Sequence, residues 1–137
     1  MNWKFEVLTR AIGKERPRVN TITRQAYTPH KTKNYEELIK YSFIQKYGVR
    51  SQPSENEIAL KITAIFKPPK SLSKKKQQEL IDGEFGYLHK PDADNIAKAI
   101  LDSLNGLVYK DDNQVADLLV IKKYGIEDKV EIEIHEL

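Results

Sequence analysis

The stretch of residues 90–120, KPDADNIAKAILDSLNGLVYKDDNQVADLLV, holds carboxylates in two close pairs, Asp92 with Asp94 and Asp111 with Asp112, and contains no histidine. Side chains repeat every two residues along an extended chain, so Asp92 and Asp94 point to one side if the backbone stays extended through Ala93. Inside a helix they would diverge by about 200°, at roughly 100° per residue. The pair can therefore share a cation only before or at a helix start. Carboxylates held that close repel each other, and a hard divalent cation relieves the repulsion. Three or four such oxygens leave Mg²⁺ open positions for water and phosphate. Metal-activated water attacking phosphorus is the chemistry that set would serve.

A helix is expected over about 94–105, stopped by Gly106. With Asp94 as origin, Ile96, Ala97, Ile100, Leu101 and Leu104 fall at about 200–340° and form a core face. Lys98 and Asp102 fall at about 40° and 80°, on the side of Asp94, so a polar stripe Asp94–Lys98–Asp102 rises beside the buried face. Lys98 could contact a phosphate, stabilise developing charge or orient an attacking water. Each feature also has a plainer reading. Asp before a helix is commonly an N-cap, Asp-Asp-Asn after Lys110 is commonly a turn, and an Asp–Lys–Asp stripe is commonly a solvated face. Spacing alone leaves both sets of readings open.

The elements that must position these residues can be traced from pattern. Residues 3–8 alternate and predict a first strand. The pattern is then lost over 10–33, a loop of roughly 20 residues rich in Arg and Lys, of the kind that tends to serve function. Asn34 is placed to cap a helix to about residue 47, with Gly48 as its stop. Residues 57–67 alternate again up to Pro68-Pro69. Ser71 or Ser73 starts a short basic helix to Ile81, closed by Gly83. Residues 114–124 and 129–135 predict two strands joined as a hairpin across 125–128. The order β-α-β-α-α-β-β predicts a single α+β domain over residues 1–137, with a mixed, mostly antiparallel sheet and helices mainly on one face.

Composition agrees with one soluble domain. The 137 residues are 39% hydrophobic and 31% charged, enough for a real core. There is no cysteine, which excludes disulfides, zinc thiolates and cysteine nucleophiles and suits a cytoplasmic location. The N-terminal residues lack the apolar core of a signal peptide, and no apolar run approaches the roughly 20 residues that cross a bilayer; no membrane partner is expected. Charge is unevenly spread. Residues 1–50 carry 11 Lys/Arg against 4 Asp/Glu, and residues 91–137 carry 5 against 11. A basic front half suits a polyanion, and an acidic back half tolerates one if cations neutralise it.

Residues 92–115 closely resemble the RusA family of Holliday junction resolvases, a phage and prophage type. The family pattern stands here as Asp92-Ala93-Asp94-Asn95-Ile96-Ala97-Lys98, Asp102-Ser103-Leu104 and Asp111-Asp112-Asn113-Gln114-Val115. Gly13-Lys14-Glu15-Arg16-Pro17-Arg18 and Tyr27-Thr28-Pro29-His30-Lys31-Thr32 resemble two upstream stretches of the family. Pro91 departs from relatives that carry Arg there, with Lys90 beside it as a substitute. The resemblance implies Asp92, Asp94 and Asp112 as metal-binding catalytic aspartates, Lys98 as the catalytic lysine, and Asp111 as a further candidate ligand. It gives Asp102 a lesser role, holding Lys98 in place. It implies Mg²⁺, with Mn²⁺ able to substitute, and a homodimer that nicks opposed strands of a four-way DNA junction in recombination and repair. Arg16, Arg18, Arg24, Lys31, Lys33, Lys74, Lys75 and Lys76 are the expected phosphate contacts, which position DNA without reading bases. The triple lysine reads equally well as a solvated helix face. Two other functions share these residues: a branched-DNA-binding module without catalysis, and a metal-dependent nuclease for other branched DNA.

Overall fold

Strict alternation in β1 (Asn2–Val7) buries Trp3, Phe5 and Val7 and leaves Asn2, Lys4 and Glu6 in solvent. The computed structural model describes residues 1–15, 18–27, 30–83 and 85–137. After β1 come β2 (Arg18–Val19), β3 (Ala26–Tyr27), α1 (His30–Tyr47), β4 (Ile58–Phe66), α2 (Lys74–Asp82), α3 (Ala93–Leu104), β5 (Val115–Tyr124) and β6 (Lys129–Glu136). A 3₁₀ turn at Asp112–Gln114 precedes β5.

The main sheet is mixed, in the order β1-β6-β4-β5. β6 runs antiparallel to both β1 and β4, whereas β4 and β5 are parallel. The register sets Phe5 beside Ile132 and Ile132 beside Ile62, with Trp3–Ile134–Leu60 and Val7–Val130–Ala64 as flanking rows. All nine side chains are buried. They share one core with Tyr35, Ile39 and Phe43 of α1 and Ile96, Ile100 and Leu104 of α3. Phe43 meets Phe5 edge-on at 5.6 Å between ring centroids. The alternate positions are charged: Glu133 pairs with Lys4 and Lys61, each at 3.7 Å. The α+β order is therefore as the pattern predicted, with a small antiparallel β2–β3 ribbon added inside the long loop.

The expected hairpin between the last two strands does not form. β4 lies between them, paired with β5 on one side and β6 on the other. β4 is buried at Ile58, Leu60 and continuously from Ile62 to Phe66, and a strand apolar on both faces belongs in the interior of a sheet. β5, which carries Lys122 and Lys123, takes the edge. The turn after it bonds to β4 instead, through Gly125 N–H donating to the Phe66 carbonyl at 3.0 Å.

α1 also starts at His30, four residues before the expected Asn34 cap. Thr32, Tyr35, Ile39 and Phe43 are its buried residues, a helical spacing in which a threonine takes a core position. Lys31 and Lys33 thus belong to the helix, not to the loop. The other helix ends lie close to where local signals put them. Ser73 Oγ accepts from Lys76 N–H at 3.2 Å to cap α2, and Gly48 and Gly106 take positive φ just past α1 and α3.

Ile132, fully buried between Phe5 and Ile62, should be the most expensive truncation in the sheet. Ile132→Ala is expected to lower stability by about 3–4 kcal/mol in urea unfolding. A loss below about 1 kcal/mol would be incompatible with this central register.

Candidate active site

Asp92 is the N-cap residue of α3, with extended backbone (φ −70°, ψ 149°), yet its side chain makes no capping hydrogen bond. Its backbone carbonyl accepts from Ile96 N–H at 3.0 Å, so the helix starts without help from the carboxylate. Asp94 follows in the first turn. Both are exposed, and both sit where the helix dipole favours negative charge. The helix begins at Ala93, so the pair straddles the helix start, with Asp92 on extended backbone and Asp94 already in the first turn; the extended run through Ala93 that would set both carboxylates on one side is not formed. Lys98 is exposed one turn further on and makes no ion pair among the described residues.

The loop after β1 lies against this helix start. Lys14 N–H donates to the Asn95 carbonyl at 3.0 Å. At Gly13 a Cβ would lie 3.0 Å from Asn95 Cβ and 3.3 Å from Pro91 Cβ, so the close approach leaves little room for a side chain. The loop and the helix start enclose an open cleft of about 530 Å³, lined among others by Arg10, Lys14, Lys31, Lys90, Asp92 and Asn95. The cleft also holds Glu15, so four cations, two of them (Arg10 and Lys14) already paired with acids, face the carboxylates of Glu15 and Asp92.

Lys14 does more than line the cleft. Its Nζ lies 2.7 Å from Glu36 of α1 and 3.2 Å from Asp102 of α3, and its side chain is only 13% exposed. Burial disfavours its charge, but hydrogen bonds to Glu36 and then Asp102, with their charges, outweigh that and raise its pKa. The expected partnership of Asp102 with Lys98 is therefore taken over by Lys14.

The second acidic pair lies beyond the other end of α3. Asp111 caps the 3₁₀ turn: its carboxylate accepts from Asn113 N–H at 3.2 Å, and its own N–H donates to Gln114 Oε1 at 2.9 Å. Gln114 Nε2 ties the turn to the Ser54 and Asn56 carbonyls at 2.8 and 2.9 Å. The turn reading of Asp111 thus holds. Asp112 is left with a raised pKa, through partial burial first, then its hydrogen bond with Asp111 and the charges of Asp111 and Asp102. Beneath lies Tyr109, fully buried, its hydroxyl donating to the Leu101 carbonyl at 2.7 Å. Burial and the same three carboxylates hold that hydroxyl far above the usual tyrosine range.

The expected ligands therefore stand as two groups. Asp94 and Asp102 are eight residues apart on one helix, about 12 Å of rise, and Asp112 belongs with Asp102. Among the described residues no three acids or histidines stand together as a metal-holding cluster. The chemistry of the donors suits a hard divalent cation: only oxygens, with Asp92 and Asp94 uncommitted and Asp112 crowded by like charge.

The expected phosphate contacts are spread more widely. Lys74, Lys75 and Lys76 are exposed in the first turn of α2, a helix with no buried residue. Lys31 and Lys33 are exposed on α1, and Arg24 is exposed in the turn between β2 and β3 with φ 59°. The backbone of Arg18 forms part of β2; Arg16 lies outside the described residues. Sequence pattern passed over Arg10, whose guanidinium donates to Tyr87 Oη at 2.7 Å and stacks over Phe66 at 5.0 Å. It also gave Lys14 no role, since no local periodicity marks a residue that bridges two helices.

An oxygen-only acid set beside a cationic cleft on an α+β domain is chemistry suited to phosphodiesters. The chain matches the family model described as Endodeoxyribonuclease RusA over residues 9–135, and it belongs to that family. It is also similar to a Bacillus subtilis (strain 168) protein described as "Uncharacterized protein YqaN", at 46% identity over 76 residues. That alignment covers 53% of this chain and 54% of the relative, about half its length.

Two outcomes follow for stability. Lys14→Met strands Glu36 and Asp102 without their cation and is expected to cost about 2 kcal/mol, the discount on a buried pair reflecting the water that still reaches Asp102; a thermal shift indistinguishable from wild type would contradict the bridge. Because Asp112 has a raised folded pKa, its ionised form opposes folding above that pKa, and the penalty disappears as pH falls and it protonates. Asp112→Asn should therefore raise Tm at pH 7, with the gain shrinking in acid. A lowered Tm at pH 7 would rule out like-charge crowding.

Proposed function

We propose that the chain is a Mg²⁺-dependent endonuclease that resolves four-way DNA junctions, acting as a homodimer whose subunits each nick one of two opposed strands. The observation that carries this reading is the idle carboxylate of Asp92. An aspartate at an N-cap ordinarily stabilises its helix by about 1 kcal/mol; here the side chain is withheld from that role. The carboxylate forgoes the cap hydrogen bond and keeps the attraction of the helix dipole, which leaves its oxygens open to a cation. Family membership supplies the class of reaction.

In this reading Asp92 and Asp94 would hold Mg²⁺, or Mn²⁺ in its place, with Asp112 as the third ligand the family likeness implies, although it stands with Asp102 beyond the other end of α3, and Asp111 beside it as the cap that shapes the turn. A bound divalent cation supplies an activated water and neutralises charge on the scissile phosphate. The chain's own groups do the rest. Lys98, one helical turn from Asp94, stabilises charge that develops on the phosphate oxygens. Arg10, Lys31 and Lys90 around the cleft seat neighbouring phosphates. Lys74, Lys75 and Lys76 on α2 extend the cationic surface, and such contacts fix position without reading sequence. The family likeness and the need to cut two strands together support a second copy.

A synthetic four-way junction with Mg²⁺ is the direct test, with linear duplex and EDTA as controls. Paired symmetrical nicks that need the metal and spare the duplex are expected. Asp92→Asn, Asp94→Asn and Asp112→Asn should each reduce cutting by about a hundredfold or more while junction binding persists. Lys98→Ala should slow it by about 10²–10³. Normal cutting by all three aspartate variants would defeat the assignment. Equal cutting of flaps or other branched DNA would keep the chemistry and widen the substrate.

A further inference from the structure

We propose that the β2–β3 hairpin is a junction-selecting arm, with Ile22 as an apolar wedge that enters the DNA stack at the branch point. This rests on the branched-DNA reading above and adds to it the element that would tell a branch from a continuous duplex.

The hairpin has a defined shape. Arg18 pairs with Tyr27 and Val19 with Ala26. Asn20 then organises the turn: its Oδ1 accepts from Ile22 N–H at 2.8 Å and Thr23 N–H at 3.1 Å. Its carbonyl accepts from Arg24 N–H at 2.7 Å, and its N–H donates to the Gln25 carbonyl at 2.9 Å. The result holds Ile22 outward, 91% exposed. Isoleucine is stiff at χ1, so little of its freedom remains to be lost on insertion.

Its surroundings identify the partner. Residues 16–35 include Arg16, Arg18, Arg24, Lys31 and Lys33 and not one Asp or Glu. A segment that is wholly cationic suits a polyanion. Phosphate, however, offers nothing to an isoleucine. The apolar place in DNA lies between base pairs, where inserted Ile, Leu or Phe unstack a step and bend the helix. Position agrees: Glu15, three residues before the hairpin, and Lys31, four residues after it, line the same cleft as Asp92. From Arg18 to Ile22 the chain can reach up to about 13 Å at roughly 3.3 Å per residue, more than the roughly 7.5 Å depth of a minor groove.

Selectivity follows from where unstacking is cheap. In a continuous duplex the wedge must break a good stack. At a branch point stacking is already interrupted or strained, and opening it costs least. A wedge therefore adds affinity for the junction and little for the duplex.

The test compares the full-length chain with Ile22→Ser and Arg24→Gln, binding a four-way junction and a linear duplex of the same arm sequence in EDTA. A 2-aminopurine beside the branch point reports unstacking. Ile22 is solvent-exposed, so its replacement removes no core packing. Wild type should brighten the probe. Ile22→Ser should lose that signal and bind the junction about tenfold more weakly, as expected for exposing one buried aliphatic side chain, with duplex affinity unchanged. Arg24→Gln should weaken both DNAs alike and lower the salt slope by about one. An unchanged junction-to-duplex ratio and an unchanged probe signal in Ile22→Ser overturn the wedge while leaving junction cleavage by wild type intact. Equal weakening on both DNAs by Ile22→Ser overturns it too. Failure of wild type to bind any DNA would remove the branched-DNA reading, and the wedge with it.

Discussion

Parallel pairing of β4 with β5 is the constraint on which the rest of this architecture depends. Parallel neighbours cannot be joined by a tight turn and need a crossover of a dozen or more residues. Here the crossover occupies residues 67–114 and carries α2, α3 and the 3₁₀ turn. Every aspartate expected to act lies in it. A hairpin would have left that chain as surface decoration. As a crossover it must pack back onto the sheet, and the buried face of α3 (Ile96, Ala97, Ile100, Leu104) anchors it there. The stiffness of the core is thereby lent to two helix ends, and polar residues at those ends acquire fixed positions.

The ends of α3 are used differently. At its start the backbone forms its first turn while the Asp92 carboxylate stays idle. Beyond its far end Asp111 is spent on a cap and Asp112 is crowded by its neighbours. One carboxylate forgoes a stabilising role and another accepts a repulsive one. Both are small sacrifices of folding free energy concentrated where anionic ligands or cations would act, the pattern expected where a local rule is broken for function. Lys14 offsets part of this by neutralising Asp102 and Glu36 together, and it also pins the loop that forms one wall of the cleft.

The cationic side is built on looser supports: exposed lysines on α2, the first turn of α1 and a two-pair ribbon. Phosphate attraction acts over roughly 8–10 Å at ordinary salt, so such groups need only approximate placement. Metal coordination needs fixed geometry, and the candidate acids sit at the start of the packed helix and in the turn beyond its end. The division between a packed helix and exposed cations follows from the ranges of the two forces.

Sequence by itself determined whatever depends on neighbours along the chain. A serine cap at 71 or 73, the stops at Gly48 and Gly106, the core face of α3 and the α+β order can all be read from patterns of a few residues, and the structure selects Ser73 as the cap. The candidate acids were legible as a motif with a family likeness. Tertiary structure decided whatever depends on distant pairing. β4 displaced β6 from β5 because burial on both faces outweighs a favourable turn. The start of α1 at His30 was not legible because Thr32 takes a core position that a polar side chain does not announce. Lys14 found Asp102, 88 positions away in the numbering, through a loop without periodicity. That the Asp92 carboxylate makes no capping hydrogen bond is likewise decided only by the tertiary structure.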